Sequence, residues 1–268
     1  TGVVVDILRM RFHETEGKEP SYSRKLIEVA CVFLEEYPFI KNAYGHHNTD
    51  YSLATIIKVC FLSKFGAKFT LSICKYFAKL IAEYRIYPFE YTDLFRTIAR
   101  IKPVVFLDTF LENSLNIENY SPHLVFRDSF EERNIFIDQI DEDVLINWCQ
   151  VNAETRYPLL ASVTKLFSIT KDSKEIRLNQ TIYLLLNNAP NRVVILQNLS
   201  KSISPMSWSG SLAEILLKRA ELLKELFVYE DAEVKSWAKE QYFALQKEAK
   251  YAHEDEEKRN RFYNERFE

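Results

Sequence analysis

The chain has 268 residues, 47% of them apolar and 14% aromatic, which is enough to bury a large core as one elongated unit or two small domains and excludes disorder over most of its length. Its five glycines fall far below the average usage of about 7%, which argues against glycine-rich phosphate loops and tight β-hairpins. With 35 basic against 38 acidic residues and a formal charge of −3, no global field draws the chain to nucleic acid or an anionic membrane, and only a local basic patch stays open.

Cys31, Cys60, Cys74 and Cys149 lie far apart, without a CxxC or a paired-histidine spacing, and three of them sit inside apolar helical patterns. They read as buried thiols of a reducing cytoplasm, not as disulfides or metal ligands. No apolar run approaches the roughly 20 residues that span a bilayer, and no signal segment opens the chain, so a soluble, non-secreted protein is expected. The start at Thr1-Gly2-Val3, already apolar, suggests a piece of a longer polypeptide; an expression scar would look similar.

Helical periodicity dominates in chain order. Ser21 or Ser23 caps a first helix running to about Tyr37, where Pro38 ends it. Leu53, Ile56, Ile57, Cys60 and Phe61 draw one stripe down a helix entered at Thr49-Asp50 and closed near Gly66. Phe69, Ile73, Phe77, Leu80, Ile81 and Tyr84 repeat the pattern up to Tyr87-Pro88, which makes an antiparallel pair with a short turn. Tyr91 to Ile101 and Val104 to Leu111 form a second pair, with Pro103 suited to a first helical turn. From Asn113 to Ile140 the period breaks at Tyr120-Ser121-Pro122-His123, and a long connection with a short helix is expected. Regularity resumes at Asp141, with Leu145, Ile146 and Cys149 inside, and runs from Glu154 to Phe167. Further helices cover about Leu178 to Asn187, Asn191 to Ser200, Leu212 to Val228 and Glu233 onward.

Helix starts recur at intervals of about 40 residues in the second half, at Asn152-Ala153-Glu154-Thr155-Arg156, at Ala189-Pro190-Asn191-Arg192-Val193 and at Glu230-Asp231-Ala232-Glu233-Val234-Lys235. The interval and the acidic or amide cap followed by a basic residue resemble HEAT and armadillo units. The likeness is clear at Asp231, partial at Asn152 and weak at Pro190; a tetratricopeptide array finds no 34-residue register. The expected architecture is all-α, with antiparallel helix pairs stacked as a HEAT/armadillo-like α-solenoid. It divides into N-terminal pairs (1–140), HEAT-like repeats (141–247) and a charged helical extension (248–268), possible segments of one continuous solenoid. No sheet beyond an incidental two-residue bridge is expected.

Ser211-Leu212-Ala213-Glu214 reads as a capping box. Ahead of it, Trp208 either packs as a lid over the helix entrance or, with Ser209 and Ser211, touches a partner. Gly45-His46-His47-Asn48-Thr49-Asp50 is the nearest thing to a metal cluster, yet adjacent residues rarely ligate one ion and no third ligand has helical spacing to them. Asp231 with Glu233-x-Lys235 has the letters of a nuclease triad at the start of a helix, where capping explains them. No Gx4GK[ST], GxSxG or HExxH pattern occurs, so no catalytic residue, metal or cofactor is assigned. From Glu248 charges of both signs alternate at helical spacing, as in a solvated helix. Its aromatics Phe262, Tyr263 and Phe267 either fold back on the core or dock on another chain.

Trp148-Cys149 ahead of Arg156-Tyr157-Pro158-Leu159, the stretch Pro205 to Ser211, and the charged ending Asn264-Glu265-Arg266-Phe267-Glu268 together resemble the C-terminal helical region of large multidomain bacterial proteins linked to antiviral defence. Some of these are similar to STAND-type NTPases, in which a helical-repeat end senses a ligand and a separate module acts. The resemblance implies a sensor or scaffold role, with a protein or other domains of a longer chain as partner. A nucleic-acid-binding repeat is the alternative, and a continuous basic groove would mark it. An enzyme with a site invisible in sequence is the third, marked by a pocket of titratable groups with shifted pKa.

Overall fold

The computed structural model describes residues 2–13, 22–37, 39, 46–113, 116–126, 136–169, 175–205 and 208–265. Helix accounts for 77% of it, with one two-stranded sheet. Two compact units divide between Trp148 and Cys149.

In the first unit the helices are α1 (Gly2–His13), α2 (Arg24–Glu36), α3 (His46–Leu62), α4 (Thr70–Ala82), α5 (Thr92–Ile101), α6 (Pro103–Phe106), α7 (His123–Phe126) and the start of α8 (Glu142–Val151). Alternate helices pack together: α1 on α3 and α3 on α5, with α2 on α4 and α4 on α6. The apolar stripes explain this. Leu53, Ile56, Ile57 and Cys60 of α3 and Ile73, Cys74 and Phe77 of α4 are wholly buried, and each such side chain contributes about 1.5–3 kcal/mol on leaving water. Ser23 caps α2 by accepting the Leu26 N–H, and Pro103 opens α6, which continues as a π-turn over Leu107–Leu111.

The sequence reading took α2 as the first helix, whereas α1 precedes it, and three further details depart from that reading. First, α3 begins at His46, so Asp50 lies a turn inside it, and its buried carboxylate accepts the N–H groups of Asp93 and Leu94 at 2.9 Å, capping α5. Second, Gly66 has φ −90° and is no left-handed cap. A Cβ there would stand 2.0 Å from the Cys60 carbonyl oxygen, so close approach selects glycine. Third, Phe126 and Phe136 follow no stripe because they join a ring cluster with Phe95, Phe106 and Phe110, at centroid distances of 5.1 to 6.4 Å.

The second unit holds α9 (Ala153–Val163), strands β1 (Phe167–Ile169) and β2 (Ile176–Leu178), then α10 (Gln180–Asn188), α11 (Arg192–Leu199), α12 (Leu212–Leu223) and α13 (Ala232–Glu265). The strands pair antiparallel with Phe167 opposite Leu178, which exceeds the incidental bridge expected and ends the helix before Phe167. Three-residue strands are too short to leave a period in sequence. Phe167 is instead fixed by Arg219, whose guanidinium lies 5.0 Å from its ring centre and donates to the Ile203 carbonyl. In this unit α9 packs on α11, α11 on α13, and α12 lies along α13. Val234 and Ala238 of α13 are buried, while Trp237 is half-buried and donates to the Ser200 hydroxyl at 2.9 Å.

Side-chain ties recur at a common chain separation. In the first unit Lys68 meets Glu28 across 40 residues, Tyr76 the Tyr37 carbonyl across 39, and Trp148 Asp108 across 40. In the second, Ser202 accepts the Leu166 N–H across 36, Tyr183 donates to Glu225 across 42, and Arg192 pairs with Asp231 across 39. A residue thus meets its counterpart about one helix pair later. Among the described residues no helix is long and apolar enough to cross a membrane.

Candidate binding groove between the last two helices

Gly210, at φ +83°, occupies the left-handed region that glycine reaches without strain, and it turns the chain so that Ser211 can start α12. The Ser211 hydroxyl accepts the Glu214 N–H at 3.2 Å, the half of a capping box visible in sequence. The carboxylate that completes the cap comes from α13. Glu256 accepts the Ser211 hydroxyl at 2.8 Å and the N–H groups of Leu212 and Ala213 at 2.7 and 3.3 Å. The Ser211 hydroxyl first, and then the two amides, hold its carboxyl below the ordinary range, because the charged form gains these bonds and the positive end of the helix dipole.

Above this clamp α12 and α13 flank an open groove of about 620 Å3, with Leu217 on one wall and Gln246, Lys250, His253, Glu257 and Asn260 on the other. Leu217 is exposed, and His253 Nε2 lies 3.4 Å from Glu257. The lining thus mixes apolar, cationic and anionic groups.

Of the six residues singled out from sequence, the four whose side chains are described do not converge. Trp208 is 49% exposed, Ser209 is exposed beside it, and Ser211 lines the groove that neither of them reaches. Phe262 is exposed and stands 11 residues, about three turns, beyond exposed Tyr251 on one side of α13, whereas the groove residues take another. The Tyr263 side chain and Phe267 lie outside the described residues. So do the side chains of His46, His47 and Asn48, while Asp50 of the same cluster is committed to α5. Among the described residues no group of three His, Cys, Asp or Glu is placed to hold a metal ion.

Asp231 behaves as a cap: its carboxylate accepts the Glu233 and Val234 N–H groups at 2.9 and 3.2 Å, and it pairs with Arg192 at 2.9 Å. The Val234 amide, then the Glu233 amide and Arg192, hold its carboxyl low. At the weak repeat start, Asn191 supplies the missing cap by accepting the Val194 N–H. All four cysteines are buried and free. Burial pushes the Cys149 thiol up to about 12 and that of Cys74 higher, and the Cys31 contact plus burial does the same to Cys60. These three thiols stay protonated and unreactive, whereas the contact with Cys60 lowers that of Cys31. Glu256 escaped sequence reasoning because its partners lie 43 to 45 residues away inside a run that reads as solvated charge.

No family model, curated protein or solved structure matches this chain.

Proposed function

We propose that the chain is a non-catalytic, protein-binding helical-repeat module with HEAT-like stacking, the sensor or scaffold part of a larger bacterial defence protein. The observation that carries this reading is the recurrence of inter-helix ties every 36 to 45 residues, since stacked pairs make extended surfaces suited to large partners. The two carboxylates that resemble a metal ligand or a nuclease group in sequence, Asp50 and Asp231, hold helix ends instead. The groove between α12 and α13, with Trp208 in the preceding loop, is the contact surface. Its mixed lining of Lys250 and His253 beside Glu214 and Glu257 favours a protein over a phosphate backbone, which calls for a continuous basic track.

The test uses the whole chain with Trp208→Ala and, separately, Leu217→Glu. Both residues are exposed, so circular dichroism should be unchanged. The expected result is loss of a specific protein partner, identified by mass spectrometry, in one or both variants. Wild-type capture by both folded variants removes this surface. Nucleotide hydrolysis, or tight binding of short DNA or RNA by the wild type in fluorescence anisotropy, overturns the non-enzymatic or the protein-binding part respectively.

A further inference from the structure

The outer side of α2 carries a palindrome of side chains. Lys25, Val29, Val32 and Glu36 are all exposed and fall at i, i+4, i+7 and i+11, so at about 3.6 residues per turn they form one straight line along the helix. Lys25 and Glu36 share their midpoint with Val29 and Val32, between Ala30 and Cys31. The opposite side, with Ile27, Ala30, Cys31 and Leu34, is buried, and α2 packs there on α3 and α4. The flanking carboxylates are engaged elsewhere: Glu28 with Arg24 and Lys68, and Glu35 with the Ser72 hydroxyl.

Helix α1 has the same layout. Val5, Leu8 and Phe12 are buried, whereas Val3, Ile7 and Met10 are 71%, 49% and 51% exposed at i, i+4 and i+7. Tyr22, just ahead of α2, joins the two helices by donating to the Phe12 carbonyl at 2.7 Å, with the rings 4.9 Å apart. Each outer side faces away from the helices that α1 and α2 cover, and that of α2 presents a short apolar stripe with one basic and one acidic end.

We infer that this face pairs with the same face of a second copy of the chain, α2 antiparallel to its counterpart about a two-fold axis through the midpoint of the stripe. In that register Lys25 meets the partner's Glu36, and Val29 meets the partner's Val32, twice over, as an isologous contact requires. A parallel register would set like charges against each other. The 13 residues of α2 extend about 20 Å, a small interface for which a weak dimer, on the order of micromolar, is expected.

Sedimentation velocity across concentrations from about 5 to about 500 μM tests this. The wild type is expected to pass from monomer to dimer. Lys25→Glu alone and Glu36→Lys alone each set like charges opposed at both ends, and should weaken dimerisation at least about tenfold. An equimolar mixture of the two variants restores opposite charges at both contacts, and should form a heterodimer within about threefold of wild-type affinity. All four residues are exposed, so circular dichroism should show folded protein throughout. A wild type monomeric over the whole range overturns the inference, including the case in which another protein covers this face. A dimer indifferent to both single reversals, or a mixture that fails to associate, overturns the register and with it the inference.

Discussion

The Asp50 carboxylate is 5% exposed and satisfies two amides at the start of a helix 43 residues further on. Removing it leaves two N–H groups without an acceptor in a partly dry place, which costs about 2 kcal/mol. Asp50→Ala should therefore lower the urea midpoint by that equivalent, while Asp50→Asn, which keeps one acceptor, should lose about half as much. Glu256 makes a similar contact at a more exposed site and carries a pH signature. Its folded pKa lies below the ordinary glutamate value. The stability it contributes is thus complete above the unfolded pKa, near 4.3, and is lost as pH falls through the folded value. Wild type and Glu256→Gln should differ in urea midpoint near neutrality and converge in acid; a constant gap across that range would show that the charge is irrelevant.

At the scale of the element, α4 ends in a Schellman motif: Arg85 N–H reaches the Leu80 carbonyl and Tyr84 N–H that of Ile81, both at 2.9 Å. The motif needs a left-handed residue, and Tyr84 supplies it at φ 55° with its side chain 58% exposed. An L side chain is strained there and contributes little packing in return. Tyr84→Gly should raise stability by about 0.5–1 kcal/mol, readable as a higher melting temperature. The stripes of α3 and α4 were plain in sequence, because a buried helix face repeats every three or four residues. The pair β1 and β2 was not, because three residues cannot establish a period of two. The ring cluster around Phe95 escaped for a related reason, since its members come from separate segments.

At the scale of the molecule, α13 is one helix from Ala232 to Glu265, and its packing on α12 reaches through Leu245 and Ala249 to Glu256. Residues 257–262 are exposed. Ending the chain after Glu257 should change stability by no more than about 0.5 kcal/mol. Ending it after Lys250 removes the Glu256 clamp and should cost about 1 kcal/mol, so partner capture by the longer form alone separates recognition from stability. Composition and periodicity determined the helical class, the buried stripes of α3 and α4 and the local caps at Ser211 and Asp231, and narrowed that of α2 to Ser21 or Ser23, because those rest on interactions within one or two turns. Only tertiary structure decided which carboxylate completes a distant cap, that Gly66 answers to a neighbouring carbonyl, and that Trp208, Ser211 and Phe262 stand apart. Those outcomes depend on residues some 40 positions away, and a distance along the chain does not record which of them folding brings into contact.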